Sequence, residues 1–297
     1  MMKCLITGAY GFVGSNLCRY LVNHGHQCDA LDVAAAIRDD VPYQQTFTWD
    51  NLEALKSQLA SYTAIVHLAG KAHDLKKVSS PQSYFDINVG LTKQIFELTQ
   101  GNVDKFIFFS SSKALDADTP YGQSKKEAED YLGDRAIILR PAMIHGPGNK
   151  GNLNLLWKIA LLGLPWPLAA FENLRSFASV ENVCAAVEQL ALKGQNGIYA
   201  IADDTPISTN RIIELMAQTQ GRKAKLWRIP KALMRFGAKM GDLLHLPLNT
   251  ERLQKLTEDS LLDNTALKQT LGWKKMPIQA EAGLITTLNA FKESTTR

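Results

Sequence analysis

Cysteine is scarce in this sequence of 297 residues, and its spacing argues against two kinds of cross-linked fold. None of the four cysteines forms a C-x-x-C pair, and all of them fall in predicted strands or helices: Cys4, Cys18, Cys28 and Cys184. We interpret them as buried thiols of a reducing compartment, so neither a disulfide framework nor a zinc site is indicated. The histidines add no metal-ligand spacing, because we read His67 as a core residue and His73 and His145 as loop residues.

The sequence also lacks a strong charge of either sign. It has 33 Lys and Arg residues against 29 Asp and Glu residues, a net charge of +4. This balance is too mild to predict a nucleic-acid partner or a membrane surface. Any anionic ligand must therefore be bound by a few local cations.

Long apolar runs are missing as well. The first apolar run has five residues before a glycine turn, which does not fit a signal peptide. The longest apolar stretch, Leu153 to Phe171, contains Lys158, Gly163, Pro165 and Pro167, so one helix over it cannot span a bilayer. We expect a soluble, cytoplasmic protein without a membrane span.

The start of the chain carries a strand, a glycine-rich turn and a helix in that order. Lys3–Thr7 has strand character, glycines follow at positions 8, 11 and 14, and residues 15–22 have a helical pattern. In a dinucleotide-binding unit Gly8 permits the tight turn, Gly11 admits a pyrophosphate and Gly14 lets the helix pack on the strand. Glycines also mark ordinary turns, so the triplet needs support from its context.

That context is a series of further strands. Asp32 closes a second strand, Gln27–Asp32, where an acidic residue would bind the adenosine ribose; the alternative is a solvated strand end. Further apolar runs alternate with amphipathic helices and predict a doubly wound parallel sheet of the α/β class: residues 64–69, 105–109, 136–139 and 197–202.

The sequence predicts two domains. We assign residues 1–141 with about 175–222 to the dinucleotide-binding domain. A smaller substrate-binding lobe takes about 142–174 and 223–297, where we expect short helices and turns without strong strands. Trp157 and Trp166 in this lobe would line a sugar or base pocket or pack in a core.

Tyr121 and Lys125 are the most informative pair in the sequence. They lie one helical turn apart, on a face that Ala128 and Leu132 continue, while Glu129 points elsewhere. An ammonium on the apolar side of a helix is costly, and a neighbouring ammonium is what a tyrosine base requires. Chance pairing on an exposed helix is the alternative reading.

Three serines, residues 110–112, follow the strand before this helix. A hydroxyl at the carboxyl end of that strand would face the cofactor crevice and could share a proton with Tyr121. The alternative is that these serines only terminate the strand, since serine is common at strand ends.

Together these features resemble the extended short-chain dehydrogenase/reductases, and the chain looks like a member of the NAD-dependent sugar-nucleotide epimerase/dehydratase family. The resemblance covers nearly the whole length and rests on these segments: Thr7-Gly8-x-x-Gly11-x-x-Gly14, His67-Leu68-Ala69-Gly70, Ser110-Ser111-Ser112, Tyr121-x-x-x-Lys125, Leu139-Arg140-Pro141, Arg175-Ser176-Phe177, Val180-Glu181-Asn182-Val183 and Leu271-Gly272-Trp273.

The resemblance implies roles for individual residues. Tyr121 would be the acid/base, Lys125 its partner and a ribose ligand, and Ser111 the catalytic hydroxyl, with Ser110 or Ser112 as alternatives. NAD, rather than NADP, would be bound by these residues: Gly8, Gly11, Phe12, Val13, Gly14, Asp32, Asp50, Leu68, Ala69, Asn88, Tyr121, Lys125 and Pro141. The substrate, with a UDP-sugar favoured, would be met by Ser111, Ser112, Arg175 and Arg252. For Arg175 the alternative is a surface arginine paired with Glu172 or Glu181.

Two departures from the family pattern bear on the reaction. Ten positions separate Ser111 from Tyr121, fewer than the family usually has, so the substrate range is open. Ser112 and Lys113 stand where the family's dehydratases carry an acidic pair, which argues against dehydration.

The resemblance therefore implies an epimerase or a reductase that acts on a ring hydroxyl or keto group of a nucleotide-diphosphate sugar. Residues 150–168 resemble members that act on 4-keto-6-deoxy amino sugars in polysaccharide synthesis. As in relatives, helices over Phe85–Gln100 and Tyr121–Leu132 would form a homodimer. The alternative function is a non-catalytic sensor or scaffold that kept the fold.

Overall fold

The structure, a computed structural model, describes residues 1–71, 80–149, 151–244 and 248–296. His73 and Lys150 therefore lie outside the described residues. Within these ranges the strands are β1 Lys3–Thr7, β2 Gln27–Asp32, β3 Thr46–Thr48, β4 Ala64–His67, β5 Lys105–Phe109, β6 Ile137–Pro141, β7 Met143–His145, β8 Leu174–Arg175, β9 Phe177–Ser179, β10 Gly197–Ile201 and β11 Ile207–Ser208.

The helices flank these strands along the chain. They are α1 Phe12–Asn23, α2 Glu53–Lys56, α3 Gln82–Asn88, α4 Gly90–Thr99, α5 Pro120–Leu132, α6 Asn152–Leu161, α7 Val180–Lys193, α8 Thr209–Thr219, α9 Lys231–Leu244, α10 Thr250–Thr257, α11 Thr265–Leu271 and α12 Ala280–Thr296. A 3-10 turn, Ser112–Ala114, lies between β5 and α5.

Seven strands form a parallel sheet in the order β10-β6-β5-β4-β1-β2-β3, which is a Rossmann-type arrangement. Its central strands are almost wholly apolar and buried, since helices cover both faces. The predicted doubly wound sheet is confirmed. The strand order reverses between β1 and β4, and in such sheets the crevice outside the carboxyl ends at this point receives the ligand.

The chain divides into two compact units. Unit 1 contains residues 1–142, 180–202 and 263–277, and unit 2 contains residues 143–179, 203–262 and 278–297. These bounds differ from the expected ones in three stretches, because residues 175–179 and 203–222 belong to unit 2 and residues 263–277 to unit 1. Four buried cysteines, all of them free thiols, lie in unit 1.

Unit 2 has its own apolar core and two small strand pairs, β7 with β9 and β8 with β11. Trp157 and Trp166 are 2% and 6% exposed and belong to this core. His145, which the sequence placed in a loop, ends β7 and is buried, with its Nδ1 2.9 Å from Thr287 Oγ1. No helix in the described part of the chain has the length and apolar character to cross a bilayer.

Candidate active site

The glycine turn between β1 and α1 leaves no room for a side chain at Gly8 or at Gly14. Gly8 has φ +64°, and a Cβ atom on it would lie 2.8 Å from the backbone N of Ala69. A Cβ atom on Gly14 would lie 2.5 Å from Ala9 O. Gly11 precedes α1 and supplies no side-chain cap, so the first N–H groups of the helix point toward the turn without a side-chain acceptor. This is the arrangement that binds a pyrophosphate.

Asp32 lies beside this turn at the end of β2. Its carboxylate accepts hydrogen bonds from the backbone N–H of Tyr10, at 2.9 Å, and of Val33, at 2.8 Å. The bond to Tyr10 fixes the carboxylate against the glycine turn. Arg38 donates to Ser15 Oγ at 2.8 Å and pairs with Asp40. Asp50 is exposed and follows β3, a strand that the sequence did not predict.

The carboxyl end of β4 contacts the same turn. Leu68 N donates to Thr7 O and Ala69 N donates to Thr7 Oγ1, both at 3.1 Å. His67 is fully buried, with Nδ1 2.6 Å from Thr7 Oγ1, which confirms its reading as a core residue. Burial and the charge of the nearby Lys125 lower the pKa of His67 to about 3. Leu68 and Ala69 therefore stand at the reversal point between β1 and β4.

Asn88 connects this edge to helix α5. It is fully buried; its Oδ1 accepts from Lys71 N at 2.7 Å, and its Nδ2 donates to Ser124 Oγ at 2.9 Å. Ser124 Oγ donates in turn to Tyr121 O at 2.8 Å. A Cβ atom on Gly70 would lie 2.7 Å from Asn88 Oδ1 and 3.2 Å from the ammonium nitrogen of Lys125, so all of these groups share one corner of unit 1.

Tyr121 lies in the first turn of α5, and its side chain is hydrogen-bonded to Ser111. Burial raises the pKa of Tyr121, and the nearby Tyr84 raises it too, whereas the hydrogen bond with Ser111 lowers it. The rings of Tyr84 and Tyr121 have centroids 6.2 Å apart at 67°. Ser111 and Tyr121, separated in the sequence, are thus brought together.

Lys125 lies one turn further along α5 and is 6% exposed, as its apolar helix face predicts. Its Nζ donates to Phe109 O at 2.8 Å and lies 4.8 Å from the centroid of the Phe108 ring. Burial lowers the pKa of Lys125 to about 8, and the charge of Glu129 opposes this shift. A fraction of this side chain is therefore neutral near physiological pH.

Glu129 is buried, although the helix pattern predicted that it points away from the face of Tyr121 and Lys125. It is 2% exposed, accepts from Ser110 Oγ at 2.5 Å, and holds Arg140 Nε at 2.9 Å and Nη2 at 2.5 Å. Tyr121, Lys125 and Glu129 are spaced four residues apart, which places them on one face of the helix. This spacing could have identified Glu129 as a residue of the site. Ser110 donates to Glu129, whereas Ser111 is hydrogen-bonded to Tyr121.

The remaining residues of this edge pack around the short 3-10 turn. Ser112 begins it and is half-buried, and Pro141 is buried at the end of β6. Thr119 caps α5 by accepting from Gly122 N at 3.2 Å. A Cβ atom on Gly122 would overlap with Lys113 O, so the close approach of the turn to α5 requires glycine here.

Two arginines of unit 2 were predicted to meet the substrate. Arg175 lies on β8, is half-buried, and donates through Nη1 to Lys255 O. Burial lowers the pKa of its guanidinium. Glu172, a partner considered for it, pairs instead with Arg228 at 3.8 Å. Arg252 lies on α10 and is exposed.

Comparison with known proteins gives the family. The model of the NAD dependent epimerase/dehydratase family matches residues 4–202, about two thirds of the chain. The chain belongs to this family. The match covers the glycine turn, the β4 end, Ser111, Tyr121 and Lys125. The predictions of an enzyme family, and of NAD as its cofactor, are confirmed.

Individual epimerases resemble the chain over most of its length. It is 27% identical to a UDP-glucose 4-epimerase from Vibrio cholerae over 99% of this chain and 96% of that protein. It is also 27% identical to an N-acetyl-alpha-D-glucosaminyl-diphospho-ditrans,octacis-undecaprenol 4-epimerase from Escherichia coli O157:H7, over 81% and 79%. The Bordetella bronchiseptica enzyme WbmF, solved with NAD+ and UDP, has a TM-score of 0.75 at 19% identity over 99% of this chain and 93% of that one, and shares the fold.

Proposed function

We propose that this member of the epimerase/dehydratase family acts on a ring hydroxyl or keto group of a nucleotide-diphosphate sugar, with a UDP-sugar favoured. The reaction is a 4-epimerisation or a 4-keto reduction, and polysaccharide precursor synthesis is its expected setting. The observation that carries this proposal is the hydrogen bond between Ser111 and Tyr121 beside the buried Lys125. The 4-epimerase names of its relatives support the position on the sugar.

The residues present fit NAD. Side chains at Gly8 and Gly14 would occupy the space of backbone atoms, and the open N–H groups of α1 suit a pyrophosphate. Asp32 would accept from the adenosine ribose, and its carboxylate would repel the extra phosphate of NADP. NAD, when bound, supplies the hydride acceptor or donor. The other cofactor contacts that we assign are Gly11, Phe12, Val13, Asp50, Leu68, Ala69, Asn88, Lys125 and Pro141.

Tyr121 is the group that we assign to proton transfer. In the direction of reduction its phenol donates a proton to the sugar's keto oxygen, and in the direction of oxidation its phenolate removes the hydroxyl proton. Since burial raises the pKa of Tyr121, the phenolate needs stabilisation. The hydroxyl of Ser111 stabilises it by donating a hydrogen bond, and Ser111 also fits a hydrogen bond to the reacting sugar oxygen.

Lys125 has two proposed tasks. Its ammonium, held by Phe109 O, adds positive charge near the phenolate and can donate to the nicotinamide ribose. A cation held in an apolar interior has no stabilising value of its own, which favours a functional reason for it. A buried Lys125 one helical turn from Tyr121 also argues against the alternative of a non-catalytic scaffold.

The diphosphate of the substrate is assigned to Arg175, with Arg252 as a second cation and Ser112 near the sugar. Arg175 donates to a carbonyl, and no carboxylate among the described residues lies within ion-pair distance of it. Its charge is therefore available for a bidentate contact to phosphate oxygens.

The test is turnover of a panel of nucleotide sugars, followed by product mass, with Tyr121→Phe beside the wild type. This substitution deletes one proton-transfer group without changing shape, so turnover should fall ~10²–10⁴-fold while NAD affinity is kept. The matched control is Tyr199→Phe, in the same unit, whose hydroxyl donates to Gln195 O. Activity of Tyr121→Phe within a few-fold of the wild type would remove Tyr121 from proton transfer, and no turnover of any sugar by the wild type would favour the scaffold.

The cytoplasmic location and the homodimer remain proposals. The helices assigned to the dimer, α3 with α4 and α5, expose polar residues between half-buried ones such as Leu98 and Tyr131. A four-helix interface would bury those half-buried side chains.

A further inference from the structure

Helix α9 has two apolar faces, and one of them is exposed. Met234, Ala238 and Gly241 face the core of unit 2. The opposite side, which we call the apolar face of α9, consists of large side chains whose exposed fractions are 59%, 63%, 37%, 70% and 58%: Leu233, Phe236, Met240, Leu243 and Leu244. Single exposed apolar residues are ordinary, whereas a contiguous apolar surface marks an interaction site.

A cluster of cations accompanies this face. Residues 222–239, which we call the basic segment, contain seven cations and no acidic residue: Arg222, Lys223, Lys225, Arg228, Lys231, Arg235 and Lys239. Because the whole chain has a net charge of +4, the rest of the molecule is acidic by three charges. The mild net charge therefore hides a strongly basic region.

The cations and the apolar side chains are ordered around the helix. At about 100° per residue, Lys231, Arg235 and Lys239 lie on one flank, between the core face and the apolar face. Asp242 lies on the same flank, where its carboxylate accepts hydrogen bonds from the backbone N–H and hydroxyl of Thr250. Trp227, 56% exposed, lies just before the helix. A helix with this division, aromatic and aliphatic on one side and Lys or Arg beside it, is typical of segments that lie in a membrane interface.

Few carboxylates offset these charges. Among the described residues Arg235 and Lys239 make no hydrogen bond or ion pair, and Lys231 lies 5.6 Å from the centroid of the Phe171 ring. Arg228 has a long contact of 3.8 Å with Glu172, and both side chains are about three-quarters exposed. A cleft of about 490 Å³ beside the flank is also lined by Glu258 and Asp259. Their carboxylates lower the positive electrostatic potential there but form no ion pair with Lys231, Arg235 or Lys239.

We propose that α9 and the basic segment bind the surface of a membrane that contains anionic lipids, with the apolar face of α9 inserted among the headgroups. An anionic bilayer surface complements both halves of this region at once, because it offers negative charge beside an apolar phase. A second copy of the chain would bring a second set of like charges to the contact. The inference is independent of the proposed reaction, since it uses neither NAD nor a sugar.

The test is flotation of the full-length protein with vesicles of phosphatidylcholine alone, or with about one third phosphatidylglycerol, at low and high salt. The wild type should bind the anionic vesicles at low salt and be released by high salt. Phe236→Ser/Leu243→Ser should weaken binding at least about tenfold, since two exposed apolar side chains are lost from the inserted face. Arg235→Gln/Lys239→Gln should weaken it about thirtyfold, at about fivefold per cation.

Matched controls change the same chemistry elsewhere. Leu192→Ser/Ile198→Ser removes two half-exposed apolar side chains of unit 1, and Lys274→Gln/Lys275→Gln removes two exposed cations there. Both should bind vesicles like the wild type. The proposal is overturned if the wild type does not bind anionic vesicles, or if the control variants lose as much binding as the α9 variants.

The oligomeric state, measured on the same samples, tests a second copy as the occupant. If Phe236→Ser/Leu243→Ser dissociates an oligomer and the wild type does not bind vesicles, the apolar face of α9 is an interface between copies and the lipid proposal is wrong. Quenching of tryptophan fluorescence by brominated lipids gives an independent readout: wild-type quenching that Trp227→Phe reduces supports insertion. No quenching of the wild type contradicts it.

Discussion

Lys125 is a side chain whose burial as a cation lowers the stability of the folded protein. Its ammonium is buried and donates to the carbonyl of Phe109 rather than to a carboxylate. Burial therefore lowers its pKa to about 8, from 10.5 in the unfolded chain. Between these two values the unfolded chain binds more protons at this position than the folded protein does.

The pH dependence of stability follows from that difference. As the pH rises from about 8 to about 10.5, the penalty for the buried charge disappears, so the free energy of unfolding gains up to about 3 kcal/mol from this group. Other groups titrate in the same range, so the measured quantity is the difference between the wild type and Lys125→Met in chemical denaturation. We expect the difference to move in favour of the wild type across this range. A constant difference would mean that Lys125 keeps an ordinary pKa.

Arg175 is the residue through which the substrate class can be tested. If its guanidinium binds the diphosphate, Arg175→Ala should weaken UDP binding by ~1.5–3 kcal/mol, the range for a hydrogen bond to a charged group. NAD affinity should be unchanged. Calorimetry with UDP measures the effect, and Arg228→Ala, which removes an exposed arginine of the same unit, is the control. Equal UDP affinity in wild type and Arg175→Ala would exclude the arginine from the site.

At the scale of elements, the contact between the 3-10 turn and α5 decides whether Ser111 meets Tyr121. Gly122 permits this contact, because a Cβ atom there would overlap with Lys113 O. Gly122→Ala should therefore destabilise the protein by ~1–3 kcal/mol, as overpacking does, and lower turnover by separating the two hydroxyls.

A second glycine provides the control for this substitution. Gly237 lies in α9, and a Cβ atom on it would have no neighbour within 4 Å among the described residues, so Gly237→Ala should leave turnover unchanged and stabilise the helix by ~0.5–1 kcal/mol. Thermal unfolding and turnover of both variants give the answer. If Gly122→Ala matches Gly237→Ala in both measurements, the close approach does not matter for the site.

The sequence predicted those elements whose pattern is local. The parallel strands were visible as apolar runs and the glycine turn as a motif, because burial on both faces and a tight turn each restrict the residues themselves. β3 was missed because three residues, Thr46–Thr48, with one buried side chain, leave almost no periodicity to detect.

Residues whose partners are distant in sequence were harder to place. His145 was read as a loop residue from the glycines and proline after it, yet its partner Thr287 lies 142 positions away. Glu129 was predicted to point away from the face of Tyr121 and Lys125, whereas it is buried in an ion pair with Arg140 of β6 and accepts a hydrogen bond from Ser110, which follows β5. Burial of a charged side chain is decided by tertiary partners, which a local pattern does not contain.

At the scale of the whole molecule, the family match and the fold agree along the length of the chain. Residues 4–202 match the family model, and epimerases such as that of Vibrio cholerae align over 99% of the chain. Unit 1 contains Ser111, after β5, and Tyr121 and Lys125, on α5, while Arg175 and Arg252 belong to unit 2.

The basic segment has a practical consequence for purification. A protein of net charge +4 would ordinarily be expected to bind a cation-exchange resin weakly. Here seven positive charges are concentrated in residues 222–239, and a resin bead contacts one side of a molecule at a time. Retention will therefore follow the local charge rather than the average, and the protein will elute later than its isoelectric point of about 8.7 suggests.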